Sequence, residues 1–236
     1  MSKPGQETEE EIEEAFIGIT NGVMPLSPFR DAPTMICGPG RGGTTAMATC
    51  FARSPNCRFV TDDDSRGANL EVVGMNRAIS SGNHEVLRAF RERTEREYCP
   101  RFFFKNPGFE IHQRKCPELL NVWSGANLIV MSRDPLCLTQ RELSVTNDRR
   151  ETKEHLYASA NRTLSSYSGA VMCSEFMGVA VVSYEKLVVN PEEVARSLNE
   201  WMGIEVLVPS QVKRLVEPNN YEYIRRQTLG KMRSKR

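Results

Sequence analysis

No apolar run in these 236 residues approaches the roughly 20 that cross a bilayer, so the sequence predicts no membrane span. The first residues lack a basic stretch followed by an apolar core, and no secretory leader is expected. The seven cysteines are odd in number and contain no CxxC pair, which excludes a disulfide framework. Cys37 and Cys137 sit in apolar surroundings and read as small core residues, and a reducing cytoplasm is the expected compartment. Excess charge is missing too: 31 Lys and Arg balance 30 Asp and Glu, which argues for neither a nucleic-acid nor a membrane partner. The acidic stretch Glu7 to Glu14 and the basic one Arg225 to Arg236 read as solvated faces or tails. Internal repeats, low-complexity blocks and interdomain linkers are absent.

What is present is an alternation. Short apolar runs at 34–37, 58–60, 101–105, 127–132 and 178–183 read as buried strands. Helical patterns at 44–51, 84–98, 109–122 and 154–167 fall between them. This order predicts an α/β fold with a parallel sheet of about five strands, covered on both faces. A further helix follows the last strand, with Asn190 as cap, Pro191 in its first position, Glu193 completing a capping box and Gly203 as its stop. Its Val194, Leu198, Trp201 and Met202 share one face and read as core. Residues 1–32 are expected to lead into the domain without joining the sheet. Residues 33–236 then form one domain with a basic C-terminal tail.

The segment Met35-Ile36-Cys37-Gly38-Pro39-Gly40-Arg41-Gly42-Gly43-Thr44-Thr45 carries the first chemical signal. A strand enters a glycine-rich turn and a helix opens, so backbone N–H groups converge where an anion is stabilised. The Walker pattern GxxxxGK[ST] almost fits, but Thr44 stands where its lysine belongs and Arg41 lies inside the turn. An ordinary glycine turn and a degenerate triphosphate loop are the alternatives. The second signal is Arg133-Asp134-Pro135 after a strand, where an arginine can grip a phosphate, or form a salt bridge with Asp134. The third is Phe102-Phe103-Phe104-Lys105-Asn106-Pro107, which ends a strand on a lysine that is either functional or snorkelling to the surface. Three adjacent carboxylates, Asp62, Asp63 and Asp64, offer a general base or merely a solvated loop. Tyr184 follows the last strand and, taken alone, reads as a core tyrosine.

Together these segments resemble the sulfotransferases that use 3′-phosphoadenosine-5′-phosphosulfate (PAPS), in their bacterial and tyrosyl-protein-like branch. The stretch Gly38 to Thr45 is similar to their 5′-phosphosulfate loop, usually GxPRSGTT. Arg133-Asp134-Pro135 is similar to the R-[DN]-P motif that holds the 3′-phosphate. The resemblance implies a three-layer P-loop-type fold and in-line sulfuryl transfer to a hydroxyl or amine, with no metal required. It implies that Gly40, Arg41, Gly42, Gly43, Thr44, Thr45 and Arg133 hold the donor, with Tyr184 near the adenine. Where the family has a serine eight residues after the arginine, this chain has Arg141, with Thr139 and Ser144 as other donors. Lys105 matches the K-[TSD]-P lysine beside the bridging oxygen, with Arg41 as its catalytic partner in the loop. The stretch 54–62 aligns with HPxxRxGEE and puts Asp62 at the base position.

Pro107 stands where the cytosolic branch has its histidine, while His84, His112 and His155 match no motif. The tail from Ile224 to Lys231 shares only charge and a glycine with the family's R-K-G segment. Unlike the Golgi enzymes, no anchor is evident. The expected acceptor is a small molecule, a lipid-linked compound or a carbohydrate, touched by 65–82 and 149–167. A P-loop nucleotide or small-molecule kinase and a non-catalytic binder of the product 3′-phosphoadenosine-5′-phosphate (PAP) are the competing classes. Oligomeric state is not legible.

Overall fold

The structure, a computed structural model, describes residues 23–25, 31–61, 70–98, 101–113, 117–139 and 152–216. Its centre is a six-stranded sheet of β1 (Val23–Pro25), β2 (Thr34–Cys37), β3 (Phe59–Val60), β4 (Phe103–Lys105), β5 (Asn127–Ser132) and β6 (Gly178–Ser183). The spatial order is β1-β6-β5-β2-β4-β3, and every pairing but that of β1 with β6 is parallel. The five parallel strands lie where the apolar runs predict them, with β3 and β4 shortened at their starts. The lead-in reading is corrected at one place. Val23–Pro25 joins the sheet, antiparallel to β6, on an edge where the missing proline N–H breaks no inner ladder.

Helices cover the sheet as α1 (Thr44–Ala52), α2 (Val73–Ser81), α3 (His84–Tyr98), α4 (Phe109–His112), α5 (Pro117–Trp123), α6 (Thr152–Cys173), α7 (Tyr184–Val189), α8 (Pro191–Met202) and α9 (Pro209–Val216). The single helix expected over 109–122 is two, α4 and α5. Pro117 accounts for the new start, because it lacks the N–H an interior position needs. The capping box at α8 is also corrected: Pro191 takes the first turn and Gly203 closes the end in the left-handed region, but the Asn190 side chain makes no cap bond. Its backbone serves both neighbours instead, since its N–H donates to Lys186 O and its carbonyl accepts from Val194 N.

Two cores lie on opposite faces. Strand alternation in Phe102-Phe103-Phe104 sends Phe102 and Phe104 to one and Phe103 to the other. Phe103 stacks on Phe51 of α1 at 4.7 Å between centroids, while Phe104 packs 5.2 Å from Trp123 and 5.9 Å from Phe90. The same alternation puts the next residue, Lys105, on the face that α1 covers. Phe104→Ala is expected to cost about 3–5 kcal/mol, because the fully buried ring leaves a cavity that rigid neighbours cannot fill. Urea denaturation would show a lower midpoint at unchanged slope.

The candidate active site

From β2 the chain visits β3 and β4 on one side of the sheet, then crosses to β5 and β6 on the other. The carboxyl end of β2 is therefore the switch point at which open α/β sheets bind ligands. The loop 38–43 starts there. Its tight turn is closed by Gly42 N–H donating to Pro39 O at 2.8 Å. Arg41 holds a left-handed φ of 66°, a conformation that costs a non-glycine residue about 1–2 kcal/mol. Gly43 is the N-cap of α1 at φ 99° and has no side chain to cap with. The first-turn N–H groups of α1 thus lack intrahelical acceptors and face the loop. Gly43 is also required by packing: a Cβ there would stand 2.2 Å from Cδ2 of Tyr184.

Arg133 follows β5 and is buried, with 6% of its surface exposed. Its Nη1 donates to the carbonyl of Arg41 at 2.8 Å, and its guanidinium carbon lies 4.5 Å from the centroid of the Tyr184 ring. The alternative reading of a salt bridge to Asp134 fails. Asp134 Oδ1 accepts instead from Leu136 N at 2.6 Å and Cys137 N at 3.3 Å, opening the helical turn 135–139. Among the described residues Arg133 has no carboxylate within ion-pair distance, and its buried Nε has no acceptor. Buried cations are ordinarily paired.

Lys105 ends β4 and is 2% exposed, so it does not snorkel. Its Nζ donates to Thr45 Oγ1 of α1 at 2.7 Å and to Glu71 Oε1 at 3.1 Å. Burial lowers the pKa of the ammonium, and the charge and hydrogen bond of Glu71 act against that shift. Beside it, the buried amide nitrogen of Asn106 has no acceptor among the described residues. Tyr184, the first residue of α7, is buried against the loop and Arg133.

The structure thus brings together Arg41, Gly43, Thr45, Lys105, Arg133 and Tyr184. Sequence reasoning missed Glu71 and the orphaned amide of Asn106. Glu71 stands alone between Leu70 and Val72, and no local pattern marks it. Asp62, Asp63, Asp64, Arg141, Ser144 and the basic tail lie outside the described residues. Thr139 bonds back to Pro135 O of its own helical turn. His84 faces Glu118 of α5 at 3.8 Å rather than the loop, and His112 and His155 are helical. Among the described residues no three His, Cys, Asp or Glu stand together as metal ligands, and no helix is long and apolar enough to cross a membrane.

No family model and no curated protein matches the chain by sequence. Solved structures do match its shape. The sulfotransferase domain of the olefin synthase from Synechococcus PCC 7002 superposes with a TM-score of 0.53 at 15% identity, over 83% of each chain. Sulfotransferase STF9 from Mycobacterium avium gives a TM-score of 0.49 at 12% identity, over 89% of this chain and 73% of that one. The sulfotransferase domain from the curacin biosynthetic pathway gives 0.49 at 13%, over 78% of each. At such identities the likeness is one of fold. The chain has a sulfotransferase-like α/β fold.

Proposed function

We propose that the protein transfers a sulfuryl group from PAPS to a hydroxyl or amine of a small-molecule, lipid-linked or carbohydrate acceptor. One observation carries the reading: the buried guanidinium of Arg133 has no carboxylate partner among the described residues and is tied to the backbone of the loop that ends at α1. Two anion sites therefore adjoin, one at Arg133 and one at the first turn of α1. A nucleotide with phosphates at both its 3′ and 5′ ends fits such a pair. The orphaned Nε of Arg133 fits the 3′-phosphate. The loop 40–45, including Arg41, fits the 5′-phosphosulfate.

PAPS supplies the chemistry of a mixed anhydride, in which sulfur bears a good leaving group. The chain's own residues do the rest. The first-turn N–H groups of α1 and Arg41 neutralise the phosphosulfate oxygens. Lys105 places an ammonium against Thr45, where negative charge grows on the departing phosphate. Asp62 takes the proton of the attacking acceptor, and Arg141 adds a second cation at the 3′-phosphate. The expected compartment is the cytoplasm.

Calorimetry tests the reading. The wild type is expected to bind PAP without Mg²⁺, and Arg41→Ala is expected to weaken binding about tenfold or more, the range for one lost charge-assisted bond of roughly 1.5–3 kcal/mol. Binding of Mg-ATP with no affinity for PAP would instead favour phosphoryl transfer.

A further inference from the structure

We propose that Glu71 is a positioning residue, whose carboxylate anchors the Lys105 ammonium against Thr45 and keeps it in its charged form. The inference rests on the sulfotransferase reading only for what Lys105 does, since the ion pair itself is independent of it.

The backbone explains why this carboxylate is in place. Strand β3 stops at Val60, and Glu71 then pairs with Lys105 in an isolated parallel bridge on the same edge of β4. Val72 N–H donates to Lys105 O at 3.4 Å, and Thr61 Oγ1 donates to Glu71 O at 3.0 Å, so the segment is tied from both sides. Partners in a parallel bridge project to the same face of a sheet. Glu71 is thereby aimed along Lys105, and its Oε1 meets Nζ at 3.1 Å.

The surroundings make the pair necessary. Lys105 follows Phe103 on a face sealed by Phe51 and α1, where a lone ammonium is penalised. α1 carries no charged side chain, and burial pushes its Cys50 thiol up to about 12, so that group stays neutral. β2 and β3 carry no carboxylate. Arg41 and Arg133, the other charged groups brought to the site among the described residues, are cations and would discourage a second positive group. Glu71 is the counterion that the described residues supply.

The test reads Lys105 directly. Protein with ¹³C-labelled lysine is titrated by NMR, the Lys105 signal being assigned by its loss in Lys105→Arg. Glu71→Gln is expected to move the Lys105 titration to lower pH, and Glu71→Asp to restore it in part. Release of PAP from PAPS, with water as the acceptor, should then lose its alkaline limb at correspondingly lower pH in Glu71→Gln. An unmoved Lys105 titration in Glu71→Gln overturns the proposal. So does a turnover in Glu71→Gln that loses its acid limb while the alkaline limb stays in place, which would make Glu71 itself the proton carrier. A wild type that fails to bind PAP overturns the PAPS reading instead, and the lysine titration still decides the role of Glu71.

Discussion

Gly43→Ala is expected to destabilise the protein by about 2–5 kcal/mol and to abolish PAP binding. Two costs combine. At φ 99° an alanine carries a backbone penalty of about 1–2 kcal/mol. Its methyl group would also stand 2.2 Å from Tyr184 Cδ2 and 2.8 Å from Cε2, so a buried ring has to move, at about 1–3 kcal/mol. That ring lies under the Arg133 guanidinium, so the displacement reaches Arg133 as well. Denaturation and calorimetry give the two readouts. The double variant with Tyr184→Ala separates the causes: the contact disappears, the backbone strain stays, and the Gly43→Ala cost should shrink to its backbone part. An equal cost in both backgrounds would show that the glycine is kept for its conformation alone.

Arg133→Ala is expected to weaken PAP binding about 30- to 4000-fold, from the 2–5 kcal/mol lost when one member of a buried charge pair is removed. The stability of the free protein should not fall in parallel. Without ligand Arg133 is a buried cation lacking a carboxylate among the described residues, and its burial cost is offset only by the Arg41 carbonyl and the Tyr184 ring. Arg133→Lys keeps the charge but loses the planar fork, so it should recover little of the affinity. Calorimetry and thermal melting on both variants check this. A large drop in melting temperature with PAP affinity intact would make Arg133 a structural brace for the loop.

The two variants probe the same feature, a loop and an arginine held together through a tyrosine ring. Gly43→Ala is expected to lower stability and binding together, whereas Arg133→Ala is expected to lower binding alone.

Local pattern announced most of the sheet. Each parallel strand is a short apolar run with turn residues at its ends, and burial on both faces makes such runs continuous rather than alternating. Strand β1 escaped because three residues ending in Pro25 carry no period, and only pairing with β6 makes them a strand. The loop and Arg133 were legible since each is a contiguous motif with its own mechanism. Whether Arg133 paired with Asp134 was not: adjacency in sequence offered the bridge, and the demand of the helical turn 135–139 for a capping acceptor took Asp134 away.

The amino-acid order alone thus determined the five parallel strands, the glycine-rich loop and which cations stand at strand ends, because period and turn chemistry act within a few residues. Tertiary structure decided which of those cations are buried and what each one meets. Glu71 reaches Lys105 across 34 positions of chain, and Tyr184 wedges between Gly43 and Arg133. Such contacts follow from crossover connections and sheet pairing, which place distant segments side by side without leaving a periodic trace in either.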